Sequence, residues 1–219
     1  ASIISVELYE AGRIRRMAAK GGDKHPVFRI GEVDGSLSPR VAELASLFSL
    51  IDSTKATTNL FGERWTKLVQ NGMRNGIAAA TGVTSGECDR NEVLRRFAIQ
   101  LGGEAVRVGQ ALGYRLEKLG ELDPERLALA SEGNAKALAE IEAIMVKRTA
   151  SNPRAGIQRP SMAQDMAKGR RTEIEFMNGL IVEKGRLLGV PTPSHVKLVD
   201  IVLRVERGEL KPSPANFNP

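Results

Sequence analysis

Residues 89–113 read "DRNEVLRRFAIQLGGEAVRVGQALG". Leu94, Phe97, Ala98, Leu101, Ala105, Val108 and Leu112 recur at helical spacing and draw one apolar stripe that stops near Gly113. Asp89, with Glu92 three residues on, reads as a capping box at its start. The same grammar appears on both sides. Ser38-Pro39 offers an N-cap and a first helical proline before Val41, Leu44, Ala45 and Phe48. Asp123-Pro124 caps a helix running toward Met145, and Pro191 and Pro193 bracket a break before a helix over Val196 to Val205. About six helices are expected in all, ending in a loose proline-rich tail from Pro212.

Composition agrees with a mainly helical chain. Of 219 residues, 42% are hydrophobic, enough for a core, and only 4% are aromatic, against a β-sandwich. The net charge of +6 admits an anionic partner. The basic residues alternate with acids, however, and no basic run carries interleaved aromatics, so a small carboxylate or phosphate compound fits better than nucleic acid. The single cysteine, Cys88, rules out an intrachain disulfide framework and points to a reducing, cytoplasmic setting. With only His25 and His195 beside it, a Cys/His metal site is not expected. No apolar run approaches the roughly 20 residues of a membrane helix, and the first residues lack the apolar core of a signal peptide.

Residues 1–35 differ from the rest. "SIISVELYE" alternates Ile3, Ser5, Glu7 and Tyr9 against Ser2, Ile4, Val6 and Leu8, and "PVFRIGEVDG" repeats the habit before the turn pair Asp34-Gly35. So few strands are not stable alone and belong to a larger sheet.

Two polar segments carry the chemistry. In "ERWTKLVQNGMRNGIAAATG", residues 63–82, Lys67, Asn71 and Asn75 fall at i, i+4 and i+8, which on a helix is one ridge drifting by about 40° per step. A cation and two carboxamides can bind a carboxylate or carbonyl group and donate a proton to it. The competing reading is an ordinary solvated face, and Gly72 and Gly76 beside it serve either close helix packing or close ligand approach. In "SMAQDMAKGRRTEIEFMNG", residues 161–179, Ser161 with Gln164 has the form of a capping box. Glu173 follows Thr172 at a second helix start, where a carboxylate complements the helix dipole. The functional alternative has Glu173 holding the Lys67 ammonium while Ser161 binds substrate.

The two segments in this order, with the Lys-x3-Asn-x3-Asn spacing, the Ser161-to-Glu173 interval, "TEIEFMNG" and "GVPTP", resemble the C-terminal domain of ketopantoate reductases (2-dehydropantoate 2-reductases) over residues 25–207. The resemblance implies a mainly α fold: a helical domain like the C-terminal one of 6-phosphogluconate dehydrogenase, preceded by a small β remnant of a Rossmann domain. It assigns residues 1–36 to the terminal strands, 37–210 to a helical substrate and dimerisation domain, and 211–219 to the tail. It also implies NADPH-dependent reduction of a 2-oxo acid in pantothenate biosynthesis by a homodimer. Lys67 and Glu173 take the catalytic positions, and Asn71, Asn75 and Ser161 the substrate-binding ones. Two features depart from the family. Ser85 stands where some members carry a further substrate-binding asparagine, and no G-x-G-x-x-G follows a strand. NADPH is therefore expected to require a nucleotide-binding domain missing from these residues, and the chain alone is expected to be inactive. The other readings are a different 2-oxo or 3-hydroxy acid dehydrogenase of the same fold group, and a non-enzymatic helical assembly domain.

Overall fold

The computed structural model describes residues 6–16, 26–151 and 159–218. The alternation of residues 2–5 lies outside them. The chain divides after Arg64 into two compact units.

In the first unit β1 (Val6–Glu10) and β2 (Arg13–Arg16) form an antiparallel hairpin, Leu8 opposite Ile14. β3 (Phe28–Ile30) leads through α1 (Pro39–Ser49) to β4 (Thr54–Ala56), which pairs with β3 in parallel. A parallel pair needs a crossover, and α1 supplies it, its Phe48 ring meeting Phe28 edge-on at 5.1 Å. Ser38 caps α1 by accepting the Val41 N–H, as its Ser-Pro start predicts. This β–α–β piece means that α1 and β4 group with the strands, so the division falls later than the boundary after residue 36 read from sequence.

α2 (Leu60–Gly72) crosses from the first unit into the second. There it is followed by α3 (Asn75–Thr81), α4 (Ser85–Arg90), α5 (Glu92–Ala111), α6 (Pro124–Ser131) and α7 (Ala135–Ser151). α8 (Ser161–Ala167), α9 (Ile174–Leu188), α10 (Pro193–Glu206) and a 3₁₀ turn, Pro214–Phe217, complete it. The α5 stripe is the centre of this core: Leu94, Phe97, Ala98, Leu101, Ala105 and Val108 are all buried. Trp65 of α2 crosses α5 closely, its indole N–H donating to the Ala105 carbonyl at 2.9 Å. A methyl group on Gly109 would lie 2.4 Å from the Trp65 ring, so only glycine permits that crossing. Cys88 is buried in the core, and burial pushes its thiol up to about 12, which leaves it chemically inert.

Several expectations are corrected. More helices form than about six, partly because the run from Asp123 toward Met145 is two helices. Gly133 (φ 91°) stops α6, and the Asn134 side chain accepts the Ala137 N–H at 3.0 Å to start α7. Asp89 caps nothing: Asn91 caps α5, accepting the Leu94 N–H, while Asp89 is buried in α4. The capping box in this region is Thr84 with Glu87. The tail is docked. Phe217 is buried 4.9 Å from the Phe97 ring, and the Asn216 side chain and Ser213 N–H both donate to the Ala80 carbonyl.

Candidate active site

Lys67 and Asn71 share a face of α2, and both are half-buried. Asn75 does not continue their ridge. α2 ends at Gly72, Arg74 leaves helical geometry (φ −133°, ψ −38°), and Asn75 opens a new helix, α3. The Arg74 N–H turns back to the Asn71 carbonyl at 3.1 Å, a tight three-residue closure. Lys67 and Asn71 are therefore fixed by helical periodicity, whereas the direction of Asn75 is set by a corner, Met73–Arg74.

The second polar segment packs on this corner. Asn178 Nδ2 of α9 donates to the Gly72 carbonyl at 3.0 Å. A Cβ on Gly76 would meet Leu198 Cδ2 at 2.8 Å and Ile174 Cδ1 at 3.0 Å. Gly76 thus serves close helix packing, whereas a Cβ on Gly72 would meet only ordinary contacts from 3.5 Å outward. Gly76→Ala is expected to destabilise the second unit by about 1–3 kcal/mol through overpacking, read as a lowered urea midpoint; an unchanged midpoint would show that the two side chains simply swing away.

Ile174 follows Glu173, so the start of α9 lies beside the start of α3, and α8, which Ser161 opens, packs along α3. Asn75 and Glu173 thus each adjoin, in sequence, one side of the Gly76–Ile174 contact. Lys67 stands further back on α2, about 7 Å along the axis from Gly72. Ser161 is exposed at the first helical position of α8, behind Pro160. Its capping box does not form, because Pro160 and not Ser161 holds the N-cap position, and Gln164 Nε2 donates to the Arg159 carbonyl. Glu173 occupies the N-cap position of α9 without a side-chain capping bond, and its carboxylate is exposed at the positive end of that helix.

Behind the corner lie buried polar groups that sequence reading missed. Arg74 donates to both oxygens of Asp89, at 2.7 and 2.9 Å, and Thr149 Oγ1 donates to Asp89 Oδ2 at 2.7 Å. Arg148 stands 3.9 Å from the same carboxylate, its guanidinium pKa lowered by burial and by the Arg74 charge. His195, fully buried, lies 3.0 Å from Asn178 Nδ2 through Nδ1 and 2.9 Å from the Leu101 carbonyl through Nε2. Glu104 of α5 accepts the N–H groups of Ser194 and His195 and so caps α10 from a distance; burial raises its pKa.

Burial pushes the His195 imidazole down to about 4 from its ordinary 6.5. Its neutral form belongs to the folded state. Stability from this group is therefore complete above pH 6.5 and is lost as pH falls toward 4, by on the order of 3 kcal/mol. Glu104 contributes the opposite slope, so the clean comparison is wild type against His195→Gln. The variant is expected to lose clearly less stability between pH 7 and pH 4.5 in urea unfolding. Parallel losses would show that His195 does not titrate with unfolding.

The family model for the C-terminal domain of ketopantoate reductase PanE/ApbA matches residues 59–206, from the start of α2 to the end of α10. The chain belongs to the ketopantoate reductase family. A 2-dehydropantoate 2-reductase from Archaeoglobus fulgidus is 31% identical over 182 residues, 82% of this chain and 52% of that relative. One from Halobacterium salinarum is 30% identical over 203 residues, 90% of this chain and 56% of the relative. The chain thus spans about half the length of the relatives it matches. Among solved structures, a PanE/ApbA family ketopantoate reductase from Ralstonia eutropha superposes with a TM-score of 0.70 at 24% identity, covering 95% of this chain and 59% of the other. D-Mandelate dehydrogenase in complex with NADH gives 0.71 at 20% identity, covering 94% and 62%. These structural likenesses concern the fold.

In ketopantoate reductases the fold group implies a nicotinamide cofactor, and the turn from β3 into α1 is one described place where a pyrophosphate could meet a helix N-terminus. The residues there do not fit one. Glu32 fills the turn, accepting Ser38 Oγ and pairing with Arg40 at 2.6 Å, and the Arg40 hydrogen bond holds its carboxyl below the usual range. An ionised carboxylate repels phosphate. No described helix is long and apolar enough to cross a membrane.

Proposed function

We propose that this chain supplies the substrate-binding and proton-donating part of an NADPH-dependent 2-oxo acid reductase acting on 2-dehydropantoate. The observation that carries this reading is the family match over residues 59–206, a stretch that contains Lys67, Asn71, Asn75, Ser161 and Glu173. Lys67 is half-buried, so its ammonium acts in a medium of reduced dielectric, where it can stabilise and protonate a developing alkoxide. Glu173 orients that ammonium and favours its charged form. Asn71, Asn75 and Ser161 add neutral hydrogen bonds that hold the acid without adding charge.

The nicotinamide cofactor supplies hydride to the ketone carbon. The β3–α1 turn, closed by the Glu32 carboxylate, is not proposed to hold the cofactor's pyrophosphate. A homodimer also belongs to this proposal. A dimeric ketopantoate reductase from Staphylococcus aureus shares the fold, with a TM-score of 0.66, and Phe176 and Leu187 of α9 leave apolar surface for a second copy.

The test is consumption of NADPH by the full-length protein with 2-dehydropantoate and with a panel of other 2-oxo acids, a mandelate-derived one included. Turnover of 2-dehydropantoate well above the panel supports the reading. Equal or better turnover of another acid moves the substrate, and no turnover of any removes the activity. Calorimetric titration of residues 1–219 alone with NADPH is expected to show no micromolar binding.

A further inference from the structure

The corner at Met73–Arg74 determines how Asn71 and Asn75 face one another. On an unbroken helix their directions would differ by about 40° regardless of surroundings, and the Gly72 carbonyl would pair with the Gly76 N–H. Here Gly72 closes α2, and its carbonyl receives Asn178 Nδ2 from α9 at 3.0 Å.

Each partner in that bond has its role forced by the next. A carbonyl oxygen only accepts, so Asn178 must present its NH₂, and not Oδ1, to Gly72. The same Nδ2 lies 3.0 Å from His195 Nδ1, which must then be the bare, accepting nitrogen. The ring proton therefore sits on Nε2, which donates to the Leu101 carbonyl of α5 at 2.9 Å. Asn178 and His195 are both 0% exposed, so water cannot replace either bond. The result is one buried line of donors and acceptors running from the central helix to the end of α2.

We propose that Asn178, oriented by His195, is a positioning residue for the Asn71/Asn75 pair. Its amide holds open the break between α2 and α3 and so sets the angle at which the two carboxamides converge. The link to substrate rests on the function proposed above; the clamp on the corner does not.

Three substitutions separate polarity from packing. Asn178→Leu keeps the volume and removes both donated bonds. His195→Leu removes the acceptor that orients Asn178. His195→Gln can keep both roles, Oε1 accepting from Asn178 and Nε2–H donating to Leu101. Amide hydrogen exchange on the full chain, read at the first turn of α3 against the core of α7, reports the clamp. KM and kcat for 2-dehydropantoate in the full-length protein report its consequence. We expect Asn178→Leu and His195→Leu to speed exchange in α3 by about tenfold or more relative to α7, and to raise KM about tenfold with a smaller change in kcat. His195→Gln should stay near wild type in both. If Asn178→Leu does not fold, the two His195 variants carry the comparison. Faster exchange spread equally over α3 and α7 would make the network ordinary core and overturn the proposal. So would a local change that leaves KM unmoved. A wild type without reductase activity would instead remove the substrate reading, and the exchange contrast would still judge the clamp.

Discussion

Replacing Lys67 by alanine in the full-length protein is expected to lower kcat for 2-oxo acid reduction by about 10²–10⁴-fold while moving KM far less. The negative charge on the substrate oxygen develops as the ketone carbon becomes tetrahedral, so the ammonium interacts most strongly with the transition state. Half-burial of Lys67 on α2 sharpens the effect, because water cannot fully take over the role of the missing cation. Asn71→Ala should cost less in kcat, since a neutral carboxamide holds ketone and alcohol about equally. Its loss should appear mainly in KM. On the proposed pairing of Glu173 with Lys67, Glu173→Gln should fall between the two: the amide keeps an oxygen for Lys67, but the charge that favours the protonated ammonium is gone. Steady-state kinetics on the three variants give the order directly. A Lys67→Ala protein with near-normal kcat and only a raised KM would make Lys67 a binding residue, and the acid role would have to be withdrawn.

What the sequence could and could not say about this region follows from where each determinant lies. The α5 stripe was legible because helical burial repeats every three or four residues, and six of its members are indeed buried. The pairing of Lys67 with Asn71 was legible for the same reason. The break before Asn75 was not, because what meets Gly72 is Asn178, more than a hundred residues downstream, and no local rule connects them. The case of Asp89 is sharper. Its spacing from Glu92 satisfies the capping-box pattern, yet the helix starts from Asn91, and Asp89 turns inward to Arg74. A local motif and a tertiary partner competed for one carboxylate, and the partner won because a buried guanidinium cannot be left unpaired. The tail shows the same limit. Its prolines read as loose, but Phe217 finds Phe97. Spacing suggested the Lys67, Asn71 and Asn75 ridge, but their roles, and the proposed partnership of residue 67 with residue 173, rest on the family resemblance and not on periodicity.

The Asp89 carboxylate should also be among the most costly single side chains to remove from the second unit. Asp89→Ala is expected to destabilise the fold by about 3–5 kcal/mol, the usual cost of breaking a buried, hydrogen-bonded ion pair by deleting one partner. The geometry places the effect at the upper end of what one substitution does. Arg74 loses two bonds at 2.7 and 2.9 Å, Thr149 loses its acceptor, and Arg148 is left facing Arg74 with no carboxylate between them. Arg74 Nε is already buried without a partner, so the guanidinium has little solvation to draw on. Most of this cost is the stranded positive charge and not the worth of the pair itself. The double variant Arg74→Met/Asp89→Leu should therefore lie much closer to wild type than the sum of its two single changes, with a coupling of about 1–3 kcal/mol in a double-mutant cycle. Urea unfolding at pH 7 measures all five proteins: wild type, Asp89→Ala, Arg74→Met, Asp89→Leu and the double variant. If Asp89→Ala loses less than about 1 kcal/mol, water solvates the charge left on Arg74 and the pair contributes little to the fold.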